Sequence, residues 1–250
     1  MTRYLPTRRA PDDRLLMFCF PYAGGGASAY AGWQRRLGDR VEVLPVQLPG
    51  REGRSLDPRF THLPLLIEDL DRELGPELER PHVLFGHSMG ALIAFSLAEY
   101  REERGERLPE ALILSAYRAP HLPPPRLAPP DASDDELVAS LVGLGGIPQV
   151  LLDHPEWLSA LLPIARDDLR LCSGPGPTRR DPLPVPIQAY AGRDDSLVTP
   201  AEVAEWVGYA SAGFAMRTLP GGHFFLRENE DLFLPDLAHS LTHLLAAAAR

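Results

Sequence analysis

Residues 82–98 read HVLFGHSMGALIAFSLA, a short apolar run followed by a serine between two glycines and then by a longer apolar segment. The first run has the length of a buried strand, and the second has the length of a helix. Gly86, Ser88 and Gly90 match the pattern G-x-S-x-G, which marks a reactive serine when it stands between a strand and a helix. The glycines are required because side chains would collide in so sharp a turn. We therefore predict that Ser88 is a nucleophile held at the top of a sheet.

Short apolar runs alternate with helical segments along the whole chain, and this alternation predicts an α/β fold with a mostly parallel central sheet covered by helices on both faces. At 250 residues and 44% hydrophobic content, the chain is predicted to form a single domain over residues 1–250. The predicted strands are residues 15–20, 41–47, 82–86, 111–116, 187–191 and 215–219. The predicted helices are residues 28–37, 62–79, 89–104, 199–209 and 230–249.

One long segment, residues 120–186, interrupts this alternation. It is rich in proline near both ends and carries two further helical patterns, at residues 134–145 and 155–172. Such a segment is either a surface insertion or a cover over a functional site, and its length favours the cover. We therefore expect a helical lid inserted at about residues 120–186.

A serine is a poor nucleophile at neutral pH unless a base and an orienting acid accompany it. Asp195 and His223 each follow a predicted strand, and Ser, Asp, His is the chain order of the α/β-hydrolase fold. His223 is predicted to take the proton of Ser88 while Asp195 holds the other ring N–H. Asp194 remains an alternative acid, because a shift of one residue exchanges the two carboxylates.

The loop after the first predicted strand, residues 20–28, reads FPYAGGGAS. In this fold an early loop and the residue after the nucleophile supply the backbone amides of the oxyanion hole, so Ala23 and Met89 are the predicted donors. A phosphate-binding loop is the competing interpretation, but the spacing G-x-G-x-x-G is absent and the chain contains no lysine. Neither Cys19 nor Cys172 has metal-ligand spacing, so the cysteines do not indicate a metal site.

The charge of the chain argues against two classes of partner. The formal net charge is −9, and all 25 basic residues are arginine. An acidic chain lacks the basic surface that nucleic acids or anionic membranes require. No apolar run approaches the roughly 18 residues of a membrane span, and the N-terminus has no apolar signal-peptide core. We expect a cytoplasmic protein with reduced cysteines, without nucleic-acid partners and without membrane association.

Six short motifs are spread over nearly the whole chain: FPYAGG at 20–25, LPGRE at 48–52, GHSMG at 86–90, LGGIP at 144–148, LPIARDD at 162–168 and GGHFF at 221–225. In these motifs the chain resembles the type II thioesterases that accompany polyketide and nonribosomal peptide synthetases. The resemblance implies Ser88, Asp195 and His223 as the triad, with Ala23 and Met89 as oxyanion donors.

The resemblance also implies a substrate and a reaction that requires no metal and no cofactor. Type II thioesterases hydrolyse acyl groups from the phosphopantetheine arm of acyl or peptidyl carrier proteins and so remove stalled or aberrant units. The chain departs from the family pattern at residues 172–176, which read CSGPG, so the preferred acyl chain is not predicted. A monomer is the favoured oligomeric state.

Two other functions would use the same scaffold. A carboxylesterase acting on small esters is one alternative, because fold and triad do not set the substrate. A carrier-protein binding module without catalysis is the other. Since carrier proteins are usually acidic, as this chain is, we expect arginines to gather near the channel mouth, with Arg118, Arg126, Arg179 and Arg180 as candidates.

Overall fold

The structure is a computed structural model that describes residues 2–6, 14–39, 41–129, 132–147, 149–174, 176–177 and 181–248. Within these residues, one parallel sheet has the strand order β2-β1-β3-β4-β5-β6. The strands are β1 (Leu15–Phe20), β2 (Val41–Pro45), β3 (His82–His87), β4 (Ala111–Ser115), β5 (Ile187–Gly192) and β6 (Phe214–Leu219). The predicted α/β-hydrolase architecture is confirmed.

Helices cover both faces of the sheet, which is why β1, β3, β4 and β5 are buried along their whole length. The helices are α1 (Trp33–Leu37), α2 (Leu63–Leu78), α3 (Met89–Glu103), α4 (Asp134–Gly143), α5 (Gln149–Leu152), α6 (Pro155–Ser173), α7 (Pro200–Ala204), α8 (Phe225–Glu228) and α9 (Glu230–Ala248). None of the helices in the described part of the chain has the apolar length needed to cross a bilayer.

Strand β1 shows how the sequence builds two cores. Leu16, Phe18 and Phe20 point into the core that α2 and α3 cover. The intervening residues, Leu15, Met17 and Cys19, point into a second core formed with α1 and α9. Successive side chains of a strand face opposite sides, so an unbroken apolar run is needed when both sides are covered.

Two predicted helices are wrong in detail. The helix predicted at 28–37 is a 3₁₀ turn at Ala27–Tyr30 followed by α1, because Gly32 adopts the left-handed conformation (φ 90°) and interrupts the helix. The helix predicted at 199–209 changes from α7 into a 3₁₀ helix at Glu205–Tyr209. Helices α5 and α8 were not predicted, since a helix of four residues is too short to show a periodic pattern.

Helices α4, α5 and α6 lie between β4 and β5, in the segment predicted to be a lid. They pack on one another through a small apolar cluster of their own, which includes Leu137, Leu141 and Leu162. Leu183 and Val185 also fall within the predicted insertion, yet both are buried in the main core. The end of the predicted lid therefore extends too far, because the chain rejoins the core several residues before β5.

Candidate active site

Ser88 lies between β3 and α3 in a conformation that is rare for a residue with a side chain, with φ 53° and ψ −121°. Neither flanking glycine leaves room for a side chain. A Cβ atom on Gly86 would overlap the carbonyl group of Gly90, and a Cβ atom on Gly90 would overlap the carbonyl oxygen of Phe20. The Ser88 amide donates a 2.8 Å hydrogen bond to the Ser115 carbonyl, which fixes the turn against β4.

Asp195 and His223 are joined by a hydrogen bond of 2.8 Å between Oδ2 and Nδ1, and both side chains are buried. The other carboxylate oxygen of Asp195 accepts hydrogen bonds from the amides of Leu197 and Val198, at 2.8 and 3.0 Å. These bonds orient the carboxylate toward the ring. Asp194, the alternative acid, is exposed, so the partner of His223 in this geometry is Asp195.

The loops that carry these two residues meet through their backbones. A Cβ atom on Gly192 would overlap the carbonyl oxygen of Gly222, so the two loops approach each other more closely than side chains would allow. The amide of Asp194 donates to the Gly221 carbonyl at 3.0 Å, and the amide of Arg193 donates to the Leu219 carbonyl at 2.8 Å. Contact between the loops thereby places the carboxylate beside the imidazole.

His87, next to Ser88, is fully buried beneath the turn and its ring centroid lies 5.3 Å from that of His223. A hydrogen bond of 2.9 Å joins its Nδ1 to Ser115 Oγ. Burial lowers the pKa of His87 well below the usual value, and the nearby His223 and Arg227 lower it further. His87 therefore packs as a neutral ring at the base of the site. Between Ser88 and His223 themselves, both within the described chain, the structure has no hydrogen bond.

The two predicted oxyanion donors lie at the ends of neighbouring strands, Ala23 after β1 and Met89 after β3. Within the part of the chain that the structure describes, neither amide N–H is used in a hydrogen bond. Met89 is the first residue of α3, whose N-terminus favours negative charge. A cavity of about 190 Å³ lies beside this loop and is lined by Ala23, Gly24, Leu161 of α6 and Arg227.

Three residues of the site were not predicted. Arg51 and Asp168 form a buried ion pair beside the loop that carries Ala23. Arg227 stacks over the Phe224 ring at 4.1 Å and donates to the Gly145 carbonyl, so it connects the segment between α4 and α5 to the segment after His223. Arg51 and Asp168 belong to the motifs LPGRE and LPIARDD, but nothing in those motifs indicates that the two residues meet.

The predicted arginine cluster is not supported at Arg118. Its two Nη groups donate to the carbonyls of Pro123 and Leu197, and Nη2 pairs with Glu202 at 3.0 Å, so internal contacts occupy both Nη groups and offset the charge. Arg126 is exposed, whereas Arg179 and Arg180 lie outside the described residues. The described residues include no group of three or more His, Cys, Asp or Glu side chains that could hold a metal.

Comparison with known proteins shows which family the chain belongs to. Residues 16–243 match the model of the thioesterase domain. The chain belongs to the thioesterase family. Thioesterase PikA5 of Streptomyces venezuelae is 33% identical over 93% of this chain and 83% of that protein. The solved structure of the type II thioesterase BorB from the borrelidin biosynthetic cluster is 36% identical, with a TM-score of 0.83 and 95% of each chain covered.

A third relative of this thioesterase carries a different name. Linear gramicidin dehydrogenase LgrE of Brevibacillus parabrevis is 36% identical over 96% of this chain and 93% of that protein. The loop after β1 in this thioesterase lacks the spacing G-x-G-x-x-G of a dinucleotide-binding turn. The glycines of that loop instead follow Ala23, next to the turn that carries Ser88.

Proposed function

We propose that this thioesterase hydrolyses acyl groups from the phosphopantetheine arm of acyl or peptidyl carrier proteins and so clears stalled or aberrant units from a polyketide or nonribosomal peptide synthase. The observation that carries the proposal is the buried hydrogen bond between Asp195 and His223. It lies at the carboxyl ends of the strands, where Ser88 also lies. The names of its relatives, a thioesterase PikA5 and a type II thioesterase of the borrelidin cluster, support the choice of substrate.

The proposed reaction has two steps. In the first, Ser88 Oγ attacks the thioester carbonyl carbon, its proton passes to His223 Nε2, and the C–S bond breaks as the pantetheine thiol takes that proton. In the second, water attacks the acyl-serine, gives its proton to His223, and releases the carboxylic acid as Ser88 regains a proton. Nucleophile and base both come from the chain, so the reaction requires no metal or cofactor.

The remaining parts of the site act on the base and on the developing charge. The bond from Asp195 to Nδ1 keeps Nε2 of His223 free to accept the serine proton. The unused amides of Ala23 and Met89 donate to the oxygen that becomes negative in both tetrahedral intermediates.

The test compares hydrolysis of acyl-carrier-protein thioesters with that of the matching acyl-CoA and p-nitrophenyl ester. We expect the carrier-bound thioester to be the best substrate, and Ser88→Ala to lower its kcat by more than about 10³-fold. Equal or better ester cleavage would favour a carboxylesterase instead. Carrier binding without turnover by the wild type would favour a non-catalytic module.

A matched pair of variants tests whether Asp195 is the acid of the proposed triad. Asp195→Asn should lower kcat by about 10⁴-fold, because an amide in its place favours the wrong tautomer of His223. Asp194→Asn, one residue away and exposed, should leave kcat within about twofold, as for most surface changes. Equal losses in the two variants would remove Asp195 from the proposed triad.

A further inference from the structure

The ion pair between Arg51 and Asp168 is buried and bidentate. Nη1 and Nη2 of Arg51 each donate to one carboxylate oxygen of Asp168, both at 2.7 Å, and the two side chains are 5% and 3% exposed. Arg51 follows β2, whereas Asp168 belongs to lid helix α6. The pair therefore connects the lid to the body of the molecule.

Both members of the pair also hold the loop that carries Ala23. Asp168 Oδ2 accepts a 2.8 Å hydrogen bond from the Gly24 amide, and Arg51 Nη1 donates to the Gly25 carbonyl at 3.0 Å. The Gly25 amide in turn closes a tight turn on the Tyr22 carbonyl at 2.9 Å. Gly24 has φ 78° at the third position of that turn, as a type II turn requires.

The direction of the Gly24 amide decides the shape of this turn. In a type I turn the central peptide, between Ala23 and Gly24, is rotated by roughly half a turn relative to a type II turn. Asp168 is placed to accept from the Gly24 amide only in the orientation observed. The carboxylate therefore selects one of two conformations next to the amide of Ala23.

A role in stability alone does not explain this pair. Burying two charges costs desolvation free energy that their mutual attraction roughly offsets, so an apolar pair of similar size often serves as well. What an apolar pair cannot supply is the acceptor for Gly24 and the donor for Gly25.

We propose that Arg51 and Asp168 are positioning residues, which hold the oxyanion loop in its productive turn and make that conformation depend on the position of lid helix α6. This inference rests on the proposed function, since it assigns the Ala23 amide to the oxyanion hole. Without the Asp168 carboxylate on α6, the Gly24 amide has no acceptor, and the turn that follows the Ala23 amide is no longer held in this conformation.

Substitution of the pair separates positioning from stability. The double variant Arg51→Met/Asp168→Leu removes both charges together and leaves no unpaired ion, so it should remain folded in urea titrations. We expect its kcat on an acyl-carrier thioester to fall by about 10²-fold, the loss typical of one oxyanion donor, while KM changes by less than about threefold. Asp168→Asn should also lower kcat with little change in KM, but by a smaller factor.

The chain offers a control beside the pair. Asp167, also in α6, accepts a 2.7 Å hydrogen bond from Arg59 Nε but has no hydrogen bond or ion pair to the oxyanion loop among the described residues. The matched variants Asp167→Asn and Arg59→Met should keep kcat within about twofold, because they break a link between lid and body without touching the loop.

The outcomes distinguish this inference from the proposed function. The positioning role alone would be overturned if the wild type is active, Ser88→Ala is inactive, and the folded pair variants keep their kcat. These pair variants are Arg51→Met/Asp168→Leu and Asp168→Asn. An equal loss of kcat in Asp167→Asn would also overturn the positioning role, by showing that any disturbance of α6 suffices. An inactive wild type would instead reject the proposed function. If the double variant unfolds, the positioning role is tested with Asp168→Asn and Arg51→Lys instead. Arg51→Lys keeps the positive charge but loses the bidentate geometry.

Discussion

At the scale of single residues, the turn around Ser88 depends on glycines that no other residue can replace. A methyl group on Gly90 would overlap the carbonyl oxygen of Phe20, which belongs to backbone and cannot move aside as a flexible side chain could. Gly90→Ala should therefore lower the free energy of unfolding by about 3 kcal/mol and reduce kcat, because β1 and α3 must separate. Urea denaturation and the thioesterase assay measure the two effects.

A second glycine provides the control for that prediction. Gly143 ends α4, and a methyl group added to it would point into open space, with no described neighbour within 4 Å. Gly143→Ala should raise the free energy of unfolding by less than about 1 kcal/mol, because alanine has a higher helix propensity than glycine. Similar losses in both variants would show that the close approach at Gly90 is not the cause.

At the scale of elements, Arg101 connects helices α2 and α3. Its buried guanidinium donates to Asp71 and Glu79, both at 2.6 Å, and to the Arg107 carbonyl at 2.8 Å. Arg101→Ala should lower the free energy of unfolding by about 3 kcal/mol, because it leaves a cavity and strips these acceptors of their donor. Arg104→Ala, at the exposed end of the same helix, should cost less than about 1 kcal/mol. A difference below about 1 kcal/mol between the two variants in urea denaturation would contradict the structural role of Arg101.

At the scale of the whole molecule, two buried histidines make stability depend on pH. Burial lowers the pKa of His82 to about 3 and that of His87 well below its usual value, so both rings stay neutral in the folded protein at about pH 5. In the unfolded chain they bind protons below about pH 6.5. The unfolded state then holds more protons, so the free energy of unfolding should fall as the pH drops from about 7.5 to about 5, with His82 contributing about 2 kcal/mol.

Urea denaturation of His82→Gln at both pH values tests this dependence. The informative quantity is the difference between the two pH values, because the substitution also changes stability at any one pH. That difference should shrink by about 2 kcal/mol relative to the wild type. An unchanged difference would show that His82 is protonated equally in the folded and unfolded states.

The sequence by itself determined the features that depend on neighbouring residues. Apolar runs of strand length, a glycine on each side of Ser88 and polar residues in the loops after β5 and β6 are local patterns. They predicted the sheet and the candidate site. Boundaries near Gly32 and the short helices α5 and α8 were missed, because four or five residues carry too little periodicity to show where a helix begins.

Only the tertiary structure decided how distant segments meet. The choice of Asp195 over its neighbour follows from the contact between two loops, in which Gly192 lies against the carbonyl of Gly222. The pairing of Arg51 with Asp168 joins residues 117 positions apart. The physical reason is the same in both cases, since a hydrogen bond depends on distance and direction in space, and residue types and their spacing along the chain specify neither.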